Sequence, residues 1–188
     1  MQSMASAHLY DAVMDSALGR LGICCRDNRV SRLEYVPNGV PLKAPATAFT
    51  RQVISQLDRF FRHPGHHFTL ALDLQGSAFQ CRVWEALTRI VAGQTLTYGE
   101  LAARLDSGAR AVGNACRQNP IPIIVPCHRV IGAAGIGGYS GSTEGVEVQR
   151  KQWLLNHEGI TIPPLKICSK SPTKGHIQAN RGICTHDG

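Results

Sequence analysis

The sequence has 188 residues, 43% of them hydrophobic, with seven cysteines and a formal net charge of +7. No stretch reaches the ~18 consecutive apolar residues that span a membrane, the first residues lack the charged and apolar regions of a signal peptide, and an odd cysteine count without framework spacing argues against a secreted disulfide scaffold. The length suits one large domain or two small ones, and the charge points to a polyanionic partner, nucleic acid first, in a reducing cytosol.

Residues 7–37 read as a β-meander. Strands are expected over His8 to Met14, Arg20 to Cys25 and Arg29 to Val36, with turns at Asp15 to Gly19 and at Asp27-Asn28. Residues 37–45 are proline-rich and read as a loop. Phe49, Val53, Leu57 and Phe60 then fall at helical spacing, which predicts an amphipathic helix from Ala46 to Phe61. Phe68, Leu70, Leu72 and Leu74 alternate with more polar residues and predict a strand. Gln75-Gly76 marks the expected boundary between an N-terminal α+β domain, 1–75, and a mostly helical domain, 76–160.

Ser77 to Gln80 forms a capping box that opens a helix with Phe79, Val83, Leu87 and Ile90 on one face. Thr97 to Glu100 forms a second box, opening a helix from Tyr98 to Leu105. After the turn Asp106-Ser107-Gly108, another helix runs from Ala109 to Arg117, so the pair is a helix-turn-helix candidate. The second of these helices is thin: Ala109, Ala111, Gly113 and Ala115 leave Arg110 standing out. Gly113 alone costs about 1 kcal/mol of helix stability against Ala. Two readings fit, close helix–helix packing or close approach to DNA with one long cation entering a groove.

The stretch from Asn119 to Val130 carries three prolines, Pro120, Pro122 and Pro126, which fix φ and remove donors. It reads as neither helix nor central strand. It delivers Cys127 with His128 and Arg129 directly after it. A buried, inert thiol is the common case for cysteine. A stiff backbone presenting a thiol beside two basic groups suits a nucleophile instead, because the reactive species is the thiolate. Glycines 132, 135, 137, 138 and 141 make a loop able to approach a ligand closely. A last helix ends at Gly159, and residues 161–188 read as a disordered basic tail.

Pro126 to Val130 resembles the active-site signature of the O6-alkylguanine-DNA alkyltransferases. Phe79 to Trp84, Thr97 to Ala102, Ala109 to Gly113, Asn119-Pro120, Gly138 to Gly141 and Leu154 to Gly159 are similar to that family as well, in its order, as is Asp15 to Gly19 near the start. The resemblance covers roughly residues 8–160. It implies a small N-terminal sheet and helix, ribonuclease H-like, packed on a helical domain with a helix-turn-helix.

It further implies irreversible transfer of an alkyl group from O6 of guanine in duplex DNA to Cys127, with O4-alkylthymine a second substrate in view. Each molecule would act once, as a monomer, without metal or diffusible cofactor and away from membranes, at the nucleoid or in a eukaryotic nucleus. By match, His128 is the base acting through a water, Glu158 orients His128, and Asn119 braces the active-site turn. Arg110 fills the gap left by the flipped base, with Ala109, Gly113 and Arg117 also at the DNA. Tyr98 and Tyr139 line the pocket, and Val130 and Ser140 supply backbone contacts to the guanine. Ser142 to Val148 lengthens the link to the last helix beyond the family pattern, which bears on the pocket rim near Ser140.

The first rival is a non-catalytic lesion-binding protein of the same fold, which would lack the acceptor that Cys127 supplies. A methylation-sensing transcription regulator would want a further module with four spaced cysteines. A Cys–His hydrolase would leave Arg110 and the thin helix unexplained. Cys24 and Cys25 with His63, His66 and His67 show no recognised metal-ligand spacing.

Overall fold

The protein is described by a computed structural model over residues 9–162. The expected tail, beyond Ile162, and the predicted strand start at His8 lie outside the described residues. Strands β1 (Ala12–Ser16), β2 (Gly19–Arg26) and β3 (Arg29–Val36) form an antiparallel sheet in the order β1-β2-β3. Asp27 and Asn28 both take positive φ, +47° and +54°, as a two-residue primed hairpin turn requires, and these residue types tolerate it. The first turn is tighter than expected. Asp15 and Ser16 stay in β1, and Ser16 Oγ donates to Gly19 O (2.6 Å) while accepting from Leu18 N (3.2 Å).

Helix α1 (Ala48–Arg62) starts at Thr47, whose side chain accepts from Thr50 N at 3.0 Å, and buries Val53, Leu57 and Phe60. The strand expected over 68–74 is not formed; only Leu72 makes a bridge, to Val30. The alternation is real, but the partners are taken. Gln56 Oε1 accepts the Thr69 N–H (2.8 Å), and the next free donor on the β3 edge, Leu33 N–H, goes to Pro120 O (3.0 Å).

Helix α2 (Ala78–Thr88) and helix α3 (Tyr98–Arg104) both open on complete capping boxes, as their sequences predict. Helix α4 (Ala109–Arg117) follows α3 after a turn in which Asp106 takes φ +49°. Trp84 of α2 donates its indole N–H to Ala115 O of α4 at 2.9 Å, and its ring passes so close to Gly76 that an added Cβ there would lie 2.7 Å away. Trp84→Phe is expected to cost about 1 kcal/mol in urea unfolding, because it removes one buried hydrogen bond and leaves the Ala115 carbonyl with only the Gln118 N–H, at 3.2 Å.

Two short elements went unpredicted: β4 (Leu96–Thr97) and β5 (Val130–Ile131) pair in parallel and fasten the chain beyond Cys127 to the start of α3. Helix α5 (Val146–His157) closes the fold, and Gly159 takes φ +80° just beyond it. The first turn of α5 absorbs the last three residues of the lengthened link. One apolar cluster runs from Ala12 of the sheet through Trp84, Leu101 and Val112 to Leu154 of α5, and Cys127 is part of it. Among the described residues no helix is long and apolar enough to cross a membrane.

Candidate functional site

The turn that carries Cys127 is braced from within. Asn119 Nδ2 donates to Val125 O (2.8 Å), and its Oδ1 accepts from Ile121 N (3.0 Å). Inside this brace Ile123 sits at φ +73°, a left-handed conformation that β-branched residues rarely adopt. Its side chain is almost wholly buried, so packing holds the strain in place. The stretch is non-helical as far as Pro126. Cys127–Arg129 then form one turn of 3-10 helix, a correction to the reading of the whole run as non-helical. Proline suits that entry, since the first N–H groups of a helical turn have no partner within it.

Cys127 is 5% exposed and His128 is fully buried. His128 Nε2 lies 3.0 Å from Glu158 Oε1, and His128 Nδ1 is buried without a protein partner. Glu158 caps the C-terminus of α5, so the fold, not sequence proximity, brings it to His128. Arg129 grips the same carboxylate with two arms: Nη2 to Oε1 at 2.8 Å and Nε to Oε2 at 2.9 Å. Its Nη1 donates to Ile90 O.

Burial works to raise the Glu158 carboxyl, but hydrogen bonds and charge from His128 and Arg129 outweigh it and hold the group at about 2. Burial pushes His128 down despite Glu158, so the imidazole is neutral at neutral pH. Burial raises the Cys127 thiol, and the polar ends of Asn119 and Tyr139 and the Lys151 ammonium pull against that rise. Cys127 therefore rests as a neutral thiol, which needs a proton acceptor before it can react.

Lys151 is a site residue that the sequence reading missed. It is fully buried on α5, and its Nζ donates to Val130 O (2.7 Å) and Gly138 O (3.0 Å). Burial lowers it to about 8, which still leaves it mostly charged at neutral pH. The signal was present: Lys151, Leu154, Leu155 and Glu158 share one helical face at positions i, i+3, i+4 and i+7. Arg129, noted only as a basic neighbour of the thiol, proves to be the second clamp on Glu158.

Cys127 lines a pocket of about 160 Å³ together with Tyr98, Gly113, Arg117 and the loop 138–143. Tyr139 and Ser140, expected at the site, are both in this lining. Tyr98 donates to Gly138 O at 3.3 Å. Cys116, which the sequence reading did not single out, also lines it. Val130 is fully buried behind the lining, with its carbonyl on Lys151. Ala109 and Arg110 are exposed at the start of α4, outside the pocket, and Arg117 is exposed at the other end of the helix. Among the described residues, no group of three His, Cys, Asp or Glu side chains is gathered to hold a metal ion.

Residues 78–160 match the family model described as 6-O-methylguanine DNA methyltransferase, DNA binding domain. The methylated-DNA–protein-cysteine methyltransferase of Mycobacterium leprae is 42% identical over 153 residues, which are 77% of this chain and 89% of the relative. The crystal structure of Mycobacterium tuberculosis O6-methylguanine methyltransferase aligns with a TM-score of 0.65 at 35% identity, covering 78% of this chain and 90% of that one. A structure of Mycobacterium tuberculosis OGT in complex with DNA aligns at 0.63 and 37% identity, covering 79% and 92%.

Proposed function

The chain belongs to the methylated-DNA–protein-cysteine methyltransferases, a class of DNA-repair enzyme, and from that premise we propose that Cys127 takes the alkyl group from O6 of guanine in duplex DNA and keeps it. The observation that carries the reading is the shared pocket: the thiol, backed by His128 and Glu158, opens between the thin helix α4 and the 138–143 loop.

The chemistry follows from these groups. The Cys127 proton passes through a bridging water to His128 Nδ1, the buried nitrogen that has no protein partner. Glu158, held ionised by Arg129, stabilises the imidazolium and fixes the ring. Lys151 favours the thiolate through its charge. The S–C bond forms as the C–O6 bond breaks, and guanine leaves with the electron pair and recovers one proton, the number the thiol gave up. The thioether has no leaving group, so each molecule acts once. Tyr98 and Tyr139 wall the base and alkyl group. By the same reading, Ser140 and Val130 supply backbone contacts to the guanine.

An alkyl carbon on O6 is out of reach in stacked duplex, so the base must leave the stack at a cost of a few kcal/mol. We read α3, its turn and α4 as a helix-turn-helix whose second helix enters the minor groove. Apart from Arg110 and Arg117, the exposed face of α4 bears only the short side chains Ala109, Ala111 and Asn114, so it fits a narrow groove. Arg110 fills the gap in the stack and Arg117 contacts phosphate. The domain division at Gln75-Gly76 is part of the same proposal, with 1–75 as scaffold and 76–160 carrying the chemistry.

The test is intact-protein mass spectrometry after incubation with a duplex containing one O6-methylguanine. A single added CH2 mapped to Cys127 is expected. An unchanged mass with DNA still bound would favour the lesion-binding rival. Arg110→Ala is expected to slow transfer about 10–100-fold, because the few kcal/mol of base extrusion is no longer offset. The same variant should leave Cys127 reactivity toward a small soluble alkylating agent unchanged. A parallel fall in both rates would remove Arg110 from base flipping.

A further inference from the structure

We propose that Tyr35, a residue of β3 in the N-terminal sheet, is a positioning residue that turns the Tyr139 hydroxyl toward the Cys127 sulfur. The inference rests on reading Cys127 as the nucleophile. The two phenol oxygens are 3.4 Å apart, across 104 residues of sequence. Tyr139 lines the pocket with Cys127, and its polar end favours the thiolate. The Tyr35 ring is itself fixed, because the Arg150 guanidinium sits 4.0 Å over its centre. Arg150 in turn is held by Leu18 O at 3.3 Å and by Glu147.

The argument is one of proton counting. A phenol has one proton to donate and lone pairs to accept. With the thiol neutral, either tyrosine can donate to the other. Once the thiolate forms, the charged acceptor takes the Tyr139 proton, since hydrogen bonds to ions are the stronger kind. The Tyr139 oxygen is buried and then needs a donor, and Tyr35 provides it. Each bond polarises the next, so Tyr35 strengthens the bond that reaches sulfur without touching the sulfur itself. The scaffold sheet thus takes part in tuning the nucleophile.

The other groups that face Cys127 are Asn119 from its own turn, Tyr98 from α3, Cys116 from α4, Lys151 from α5, and its chain neighbour His128. None of these is altered by the test. Tyr35→Phe keeps the ring beneath Arg150 and deletes only the hydroxyl. The readout is the pH dependence of Cys127 alkylation by iodoacetamide, followed by mass, for Tyr35→Phe, Tyr139→Phe and the double variant.

Each single variant is expected to move the Cys127 profile to higher pH by up to about one unit, slowing the reaction at neutral pH about 3–10-fold. The double variant is expected to be no slower than Tyr139→Phe alone, because the two hydroxyls act in series. An unmoved profile for Tyr35→Phe, or losses that multiply in the double variant, would overturn the proposal. The iodoacetamide readout does not involve DNA. If the parent protein reacted with iodoacetamide but took no alkyl group from DNA, the repair reading would fail while the role of Tyr35 was still decided.

Discussion

Cys127→Ser is expected to bind a duplex containing O6-methylguanine as the parent protein does and to remove no methyl group. The substitution exchanges one atom for a smaller one at a buried position, so α4, Arg110 and the 138–143 loop keep their places. The chemistry does not survive. A free thiol is a few per cent thiolate at neutral pH, and the site has only to favour that fraction; a serine hydroxyl starts many units further away. Neutral His128, lowered by burial, is matched to a thiol and too weak a base for an alcohol. Fluorescence anisotropy on labelled duplex would report binding, and intact mass would report transfer. Retained transfer would move the acceptor elsewhere, and Cys116 would be the first suspect because it lines the same pocket. Its own thiol, raised to about 12 by burial and by the neighbouring Cys127, makes it a poor substitute.

The parts of this fold that could be read in advance are the ones written in local chemistry. Ser77 with Gln80 and Thr97 with Glu100 announce helix starts because each box is closed within four residues. Asp27-Asn28 announces a turn because both types accept positive φ. The thiol and its histidine are adjacent in sequence, and the family motif supplies Glu158. Other features depend on partners that no window of sequence contains. Phe68 to Leu74 has the alternation of a strand, yet Gln56 and Pro120 occupy the hydrogen bonds a ladder would use. β4 and β5 have two residues each, too few for any period to show. Ile123 is an ordinary apolar residue in sequence and a strained one in the turn. The burial of Lys151 is set by the carbonyls of Val130 and Gly138, which the loop brings to it.

Glu158→Gln should separate the structural from the chemical role of the buried carboxylate. Arg129 and His128 both lean on it, at 2.8 and 3.0 Å. The amide keeps the shape and loses the charge, leaving the Arg129 guanidinium buried without a counter-ion. Removing one partner of a buried pair costs about 3–5 kcal/mol, and an amide that still accepts hydrogen bonds should fall at the low end. The pH dependence carries a clearer signature. The folded carboxyl titrates at about 2, below its ordinary 4.5, so its contribution is complete above 4.5 and drains away as pH falls toward 2. The parent protein should lose more stability through that window in urea unfolding than the Gln variant does, by the share that belongs to the carboxylate.

A separate loss belongs to His128. Its folded value is lowered, so acid draws protons to the unfolded chain from about pH 6.5 downward, in both proteins. The chemical effect is read at neutral pH. Without the carboxylate the imidazolium is less favoured, His128 becomes a weaker base, and methyl transfer in a single turnover should slow about tenfold or more. A variant that lost the acid window but transferred methyl at the parent rate would make Glu158 a stabilising ion alone, and would leave His128 oriented by burial rather than by charge.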